Sequence, residues 1–382
     1  MNILFTASQE TCLENIIEIQ KTNLDEGYKF SSTFLSHNNI NQFSTYSLSK
    51  LKKLNLNIKK LQLPSFFNKN NQQKFKLIKR YFIYFYNYKL ISNLVESHNA
   101  FIFSPGGFLE HKIAYKFKKR GKKTIMIEGG IQSFSNLELN QFERSGKKIS
   151  KKIKQIFKLN VFKFLNINDP YQEVDHLVVT GKFSKTVWSE LGIEKDKILD
   201  IGVPRYKSLC FDNNILNKPK NIAYATGSYI FHNDFRGEED DLNNIIEIHK
   251  LLKKKKLLNV FNIIIHPRDN FESDKISYIK SMHLNMITKD SEYFSQNSLL
   301  LSRQSSMIYE QLKSKSNAYF YKPYSFRKEI PHNEFTIQNE EHLDKVVNMF
   351  LKDELFQDFE LANDVISETT YKSTNIILNN YV

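Results

Sequence analysis

The stretch LLLSRQSSMIYEQL, residues 299–312, carries the pattern on which the fold turns. It opens as an unbroken apolar run, the signature of a strand covered on both faces. The polar patch SRQSS stops that run. Apolar residues then return at a spacing that suits a helix. Strand, turn and helix in this order make half of a βα unit. Ser305 and Ser306 stand at the junction, and Glu310 lies one turn further on. Serines here serve either as a helix cap or as hydroxyl donors at a binding edge.

The same alternation extends in both directions. NIAYATGS (221–228) reads as a short strand ending in small residues. DDLNNIIEIHKLLKKKK (240–256) reads as a helix, acidic at its start and basic at its finish, as the helix dipole favours. NVFNIIIHPR (259–268) is a β-branched strand stopped by His-Pro. ISYIKSM (276–282) is a short helix, LNMITKD (284–290) and NAYFYKP (317–323) are strands, and NEEHLDKVVNMFLKD (339–353) is a helix. In the first half, MNILFTAS opens as a strand, and NAFIFSPGG (99–107) and KTIMIEGG (123–130) are strands entering Gly-Gly turns. FLEHKIAYKFKKRG (108–121) is a helix closed by Gly121. DHLVVTG (175–181) is a strand, SKTVWSELG (184–192) a helix with Ser184 as its expected cap, and KILDIGVPR (197–205) a strand. Residues 36–75 and 132–170 carry the weakest pattern. Apolar strands alternating with helices imply an α/β protein with parallel sheets. The polar, proline-containing segment 211–220 is a linker between an N-terminal domain, 1–210, and a C-terminal domain, 221–353. Residues 354–382 follow as a C-terminal helical segment.

Composition narrows the class. Two cysteines, Cys12 and Cys210, cannot build a disulfide framework or a cysteine metal cage, so a reducing compartment is expected. No signal-peptide pattern and no uncharged run of about 18 apolar residues occurs, and a soluble cytoplasmic protein is expected. The formal net charge is +14, with lysines clustered at 74–89, 116–123, 147–158 and 253–256. These clusters read either as a footprint for an acidic partner or as solvated helix faces in a Lys-rich chain. Segment 74–89, KFKLIKRYFIYFYNYK, interleaves aromatics with the charges, which suits a membrane interface or a helix packed on a core. Nucleic acid is not an expected partner, because no recognisable binding module accompanies the charge. The acidic run 238–241, EEDD, is expected at a helix N-terminus rather than at a metal.

In a parallel α/β sheet, ligands bind beyond the carboxyl ends of the strands. SPGG, EGG, ATGS, HPR and SRQSS all fall at such ends. His266 can donate to a phosphate or base, Arg268 offers a guanidinium fork, and Ser305 and Ser306 add hydroxyl donors. The carboxylate of Glu310 can accept from ribose hydroxyls. Gly227, Ser228 and Pro267 complete this nucleotide-binding set. At the N-terminal edge, Glu110, His111 and Glu128 are the candidates for a base that deprotonates an acceptor hydroxyl. Their alternatives are a solvated first helical turn for Glu110 and His111, and pairing with a lysine for Glu128.

IIIHPR (263–268) together with LSRQSSMIYEQL (301–312) resembles the His-Pro and Ser-Ser motifs of bacterial sialyltransferases and Kdo transferases. HLVVTGKFSKTVWSELGIEKDKILDIGVPRYKSL (176–209) resembles the hinge-side segment of surface-polysaccharide glycosyltransferases and glycerophosphotransferases of the GT-B fold. IEGGIQS (127–133) is similar to a stretch of the non-hydrolysing UDP-N-acetylglucosamine 2-epimerases. The resemblance implies two Rossmann-like domains facing a central cleft, with the C-terminal helix crossing back to the N-terminal domain. It implies a metal-independent glycosyltransferase with no cofactor besides a nucleotide-sugar donor, CMP-linked by preference and carrying a sialic-acid-like or Kdo-like sugar. The acceptor is then a bacterial surface glycan or lipid-linked glycan, as in capsule or lipopolysaccharide synthesis, and the basic surface would help to hold an anionic donor, an acidic acceptor or, by peripheral contact, the inner membrane. His266 would meet the CMP phosphate or base, and Ser305 and Ser306 the phosphate. The acidic motif that supplies the sialyltransferase base has no clear copy here. The rival activities are CDP-glycerol-type glycerophosphate transfer and sugar-nucleotide epimerisation. The rival of another class is a nucleic-acid-binding protein.

Overall fold

The computed structural model describes residues 1–7, 10–36, 45–54, 56–62, 83–105, 108–131, 174–190, 192–210, 220–227, 229, 234–266, 273–287, 298–323 and 333–381. The expected linker at 211–219, the segment 132–170, and Ser228, Pro267 and Arg268 lie outside them. The chain divides into two compact units: Met1–Ser208 with Ser367–Val382, and Leu209–Ile366.

Unit 1 holds β1 (Asn2–Thr6), α1 (Glu10–Asp25), β2 (Ser31–Ser36), α2 (Thr45–Lys53), β3 (Asn57–Lys60), α3 (Tyr88–Ser97), β4 (Ala100–Phe103), α4 (Phe108–Lys119), β5 (Lys123–Ile127), β6 (His176–Val178), α5 (Lys182–Glu190) and β7 (Ile198–Leu199). Its seven strands lie in the order β3-β2-β1-β4-β5-β6-β7, and each neighbouring pair is parallel. Ile3, Leu4, Phe5, Phe101, Ile102 and Met126 are almost wholly excluded from water, so helices cover both faces. Phe101 stacks on Phe103 and on Phe117 of α4, with ring centroids 4.7 and 5.3 Å apart. Gly121 closes α4 at φ +66°.

Unit 2 holds β8 (Asn221–Ala225), α6 (Phe235–Lys254), β9 (Phe261–Ile264), α7 (Asp274–Ser281), β10 (Asn285–Ile287), β11 (Ser298–Ser302), α8 (Met307–Lys313), β12 (Asn317–Tyr321), β13 (Thr336–Ile337) and α9 (Glu340–Leu351). The strand order is β10-β9-β8-β11-β12-β13, again parallel throughout. This is the doubly wound order of a Rossmann sheet, in which the chain leaves the middle strand in one direction and returns on its other side.

Several local expectations change. Helix α6 starts at Phe235, earlier than the sequence pattern implied, because the Asp234 side chain caps it by accepting from Gly237 N–H at 2.9 Å. The run 238–241 lies at the N-terminal end of this helix, as expected, with Glu238 in the first turn, and Asp241 is buried. Ser184 is not a cap: α5 begins at Lys182, and the Ser184 hydroxyl meets the Thr180 hydroxyl at 2.8 Å in the interior. Strand β2, SSTFLS, lacks the alternation of a half-buried strand, yet pairs with both β1 and β3. Among the described residues no helix is long and apolar enough to cross a membrane.

The C-terminal segment belongs to unit 1 from Ser367 onward, whereas 354–366 belongs to unit 2. Ser367 N–H donates to Thr180 O at 2.8 Å, Thr369 Oγ1 to Ile201 O at 3.1 Å, and Asn375 Nδ2 to Glu26 Oε2 at 2.7 Å. The last helix, α10 (Ser373–Asn380), packs on α1. Gly202 makes this seat possible: it sits at φ +81°, and a Cβ there would overlap the Thr370 side chain. Gly202→Ala should cost at least about 2 kcal/mol, from left-handed backbone strain plus the overlap. Urea unfolding measures the loss, and a Gly202→Ala variant as stable as the parent would refute this account of the C-terminal seat.

Candidate functional site

The crevice of a doubly wound sheet opens at the carboxyl ends of the two strands flanking the reversal. In unit 2 these are β8 and β11, with β9 beside β8. Register puts Ala225 level with Ser302 on one side and Ile264 on the other. ATG, His266 and SRQSS consequently share one sheet edge. Ser302 Oγ donates to Ala225 O at 2.8 Å, tying β11 to β8 across the reversal. On the other side, Thr226 N–H donates to Ile264 O at 3.0 Å, and His266 N–H donates to Thr226 Oγ1 at 2.9 Å.

Ser305 answers to the cap reading. Ser305 N–H donates to Ser302 Oγ at 3.0 Å, which turns the chain sharply after β11. Ser305 Oγ accepts from Met307 N–H at 3.3 Å, so its oxygen caps α8. A hydroxyl that accepts in this way still has a proton to donate. Ser306 is the N-cap residue and is partly exposed. Glu310 lies in the first turn of α8 and is 8% exposed. His266 and Ser305 follow strands that flank β8 on opposite sides, so their backbones stand roughly 10 Å apart at the usual strand spacing. That span suits an extended ligand lying across the edge better than a single small anion.

Beneath Gly227 lies a buried ionic cluster that the sequence pattern concealed. Lys275 of α7 is fully buried. Its Nζ donates to Gly227 O at 2.9 Å, Glu238 Oε2 at 3.0 Å and Asp241 Oδ2 at 3.2 Å. Asp241, also fully buried, accepts from Gly227 N–H at 3.2 Å and from Tyr224 Oη at 2.6 Å. Gly227 is thus held through both its carbonyl and its N–H. It must be glycine, since a Cβ would overlap the Tyr229 ring. Burial pushes the Asp241 carboxyl up to about 6, while Lys275 and the donated hydrogen bonds act in the opposite direction. Arg303, after β11, is bound to Asp240 of α6 at 2.6 Å.

In unit 1 the reversal lies between β1 and β4. Helix α4, which follows β4, places Glu110 at 2% exposure and His111 half-buried, with the His111 ring edge-on to Phe103 at 6.1 Å. Glu128, after β5, is fully buried. Its Oε2 accepts from Thr180 N–H at 2.8 Å and its Oε1 from Trp188 Nε1 at 2.9 Å. The lysine pairing considered for it is replaced by these two N–H donors. To act as a base on a substrate hydroxyl, Glu128 would first have to release them. The adjoining Gly129 and Gly130 pack beside Cys12 and Arg205. Arg205 also pairs with Glu14 at 3.2 Å, its guanidinium staying protonated. Among the described residues no three His, Cys, Asp or Glu side chains gather as metal ligands.

Neither a protein-family model nor any curated protein matches the sequence. Solved structures do. The UDP-GlcNAc 2-epimerase of Methanocaldococcus jannaschii matches over 100% of both chains, with a TM-score of 0.59 and 13% identity. The UDP-GlcNAc 2-epimerase of Neisseria meningitidis, solved with UDP-GlcNAc, matches over 99% of both, at 0.57 and 11%. The lipopolysaccharide outer core galactosyltransferase WaaB matches over 100% of both, at 0.53 and 11%. The fold is GT-B. At these identities the likeness is one of architecture, and the chemistry has to be argued from this chain's own residues.

Two outcomes test the site's construction. Lys275→Met strands two acidic groups and should cost about 3–5 kcal/mol by urea unfolding. Adding Asp241→Asn should restore part of that, because the amide oxygen can accept from Gly227 N–H while its NH2 donates to the Tyr224 hydroxyl, with no counter-charge needed. A single-variant loss below about 1 kcal/mol would refute the clamp. Burial pushes the Glu128 carboxyl up to about 7 from its ordinary 4.5. The folded protein therefore holds this proton more tightly than the unfolded chain. The stabilisation is complete below 4.5 and is lost as pH rises through 7. Glu128→Gln should flatten stability across that window by about 3 kcal/mol, and an unchanged pH profile would remove Glu128 as its source.

Proposed function

We propose that this chain is a GT-B glycosyltransferase that moves a sugar from a nucleotide donor to a bacterial surface glycan on the cytoplasmic side of the envelope. The observation that carries the proposal is the edge of unit 2, where Gly227, His266, Ser305, Ser306 and Glu310 follow the three strands around the reversal. In this arrangement the hydroxyl protons of Ser305 and Ser306 meet the donor's phosphate. His266 meets the phosphate or the base, and the Glu310 carboxylate accepts from the ribose hydroxyls. Ser228, Pro267 and Arg268 extend the same edge in the sequence. In the transfer itself the acceptor oxygen attacks the anomeric carbon while the bond from that carbon to the phosphate oxygen breaks. The nucleotide leaves with the electron pair, and a base takes the acceptor's proton. Glu110 and His111 are the residues we assign to that role, Glu128 being engaged by Trp188 and Thr180.

The donor we favour is a CMP-activated acidic sugar, a preference that rests on the His-Pro and Ser-Ser motifs. A second reading has its own support: the similar structures include proteins named as UDP-GlcNAc 2-epimerases. It requires acidic groups free to move a proton at the sugar, and the acid in the matching EGG stretch is Glu128.

Thermal shift against CMP, CDP, UDP and GDP separates the readings. A nucleotide at about 100 times its Kd adds about 2.7 kcal/mol to the folded state. CMP or CDP should raise the melting temperature more than UDP does. His266→Ala and the double variant Ser305→Ala/Ser306→Ala should lose that response relative to their own ligand-free melts. Unchanged nucleotide affinity in both variants would overturn the site. A response to UDP alone would overturn the CMP donor. Deuterium uptake at C2 of UDP-GlcNAc in heavy water would then decide for epimerisation.

A further inference from the structure

Unit 1 carries a surface that the nucleotide site does not use. Phe85, Tyr86, Tyr88 and Tyr115 are 56%, 58%, 51% and 45% exposed, far more than aromatic rings with no partner surface usually are in one neighbourhood. They lie on a helical turn at 83–86, at the start of α3 and on α4, two helices that pack together. The turn is anchored from below by Tyr84, which is buried and edge-on to both Phe85 and Tyr88 at 5.6 and 6.1 Å. Lys116 of α4 stands 3.7 Å over the Tyr88 ring and donates to Ser92 at 3.0 Å, bridging the two helices. Lys89, Lys118 and Lys119 are exposed beside the rings, and Lys112 is partly so. The acids of the same two helices do not offset them. Glu96 is paired with Arg120 at 3.1 Å, and Glu110 is buried. The sequence leading into the turn, KFKLIKRYF at 74–82, repeats the mixture.

We propose that this aromatic and lysine face seats the protein on an anionic lipid surface. An acidic protein or a nucleic acid would meet the charge equally well. Neither explains why half-exposed rings alternate with the lysines, whereas a bilayer interface takes the rings at headgroup depth and the ammonium groups among its phosphates. A lysine near such a surface is worth about fivefold in binding, and a half-exposed ring that enters it about fivefold to tenfold. The inference does not rest on the donor assignment, because lipid binding requires no nucleotide.

The test is co-sedimentation of the full chain with phosphatidylcholine vesicles containing about 30 mol% phosphatidylglycerol, against pure phosphatidylcholine. Binding should need the anionic lipid. Phe85→Ser/Tyr86→Ser and Lys89→Gln/Lys119→Gln should each weaken it by at least about tenfold while leaving the melting temperature in place, since all four side chains are exposed. Lys253→Gln/Lys254→Gln, which removes the same charge from the end of α6 in unit 2, should leave binding within about twofold. Equal loss in both lysine pairs would reduce the effect to net charge and overturn the proposal. So would equal binding to pure phosphatidylcholine, an aromatic variant that binds like the parent, or binding to polyglutamate or duplex DNA in place of vesicles.

Discussion

Every strand of a parallel sheet ends at the same edge, and that constraint organises both units. Helices cover the two faces, so the middles of strands such as β1, β4 and β11 carry only apolar side chains. Polar residues collect where the strands stop. At the reversal of strand order no helix crosses above those ends, and the residues that follow them are left facing an open crevice. The bond from Ser302 to Ala225 O and the bond from His266 N–H to Thr226 fix the three strand ends of unit 2 relative to one another. Side chains far apart in the sequence thereby become neighbours on one rim.

Holding a loop at such a rim requires polar anchors, and the two units use different ones. Unit 2 grips Gly227 with a buried lysine and two acids. A cluster of this kind contributes little net stability over an apolar core, but it is intolerant of losing one member. It therefore specifies one loop position. In unit 1 the Glu128 carboxyl lies between Thr180 N–H and the Trp188 indole, and among the described residues it bonds to no cation. Without a counter-charge the neutral form gains, which is why burial moves this group toward neutrality at ordinary pH.

The strands were legible because burial on both faces leaves an apolar run in the sequence, as in 299–301 and 263–265. The edge motifs were legible for the same reason, since they are where such runs stop. Strand β2 was hidden: Ser-Ser-Thr-Phe-Leu-Ser owes its conformation to the ladders on either side rather than to its own composition. The Lys275 cluster was hidden more deeply. A lysine in DKISYIKS looks like any solvated helix charge, and its acids stand in a run that matches a helix dipole. Only the packing of α7 against α6 turns those residues inward. Glu128 shows the converse, a group whose partners the sequence did not reveal. A carboxylate at a strand end invites a chemical role, and the indole that claims it lies 60 residues away.

The two sheets also repeat one arrangement of acids. Each begins with a strand, sends two more to one side, and returns to place a fourth on the other. In unit 1 that fourth strand is β4, followed by α4 with Glu110 in its first turn. In unit 2 it is β11, followed by α8 with Glu310 in its first turn. Both carboxyls are nearly excluded from water, at 2% and 8%. A carboxylate near a helix N-terminus is stabilised by the dipole, which offsets part of the penalty of burial. The same topological position thus tolerates a buried acid twice. It is also the position closest to the crevice of each sheet, where an acid can accept a hydrogen bond from a sugar hydroxyl. In both units the acid stands at the carboxyl edge of the sheet, the edge at which doubly wound sheets bind their ligands.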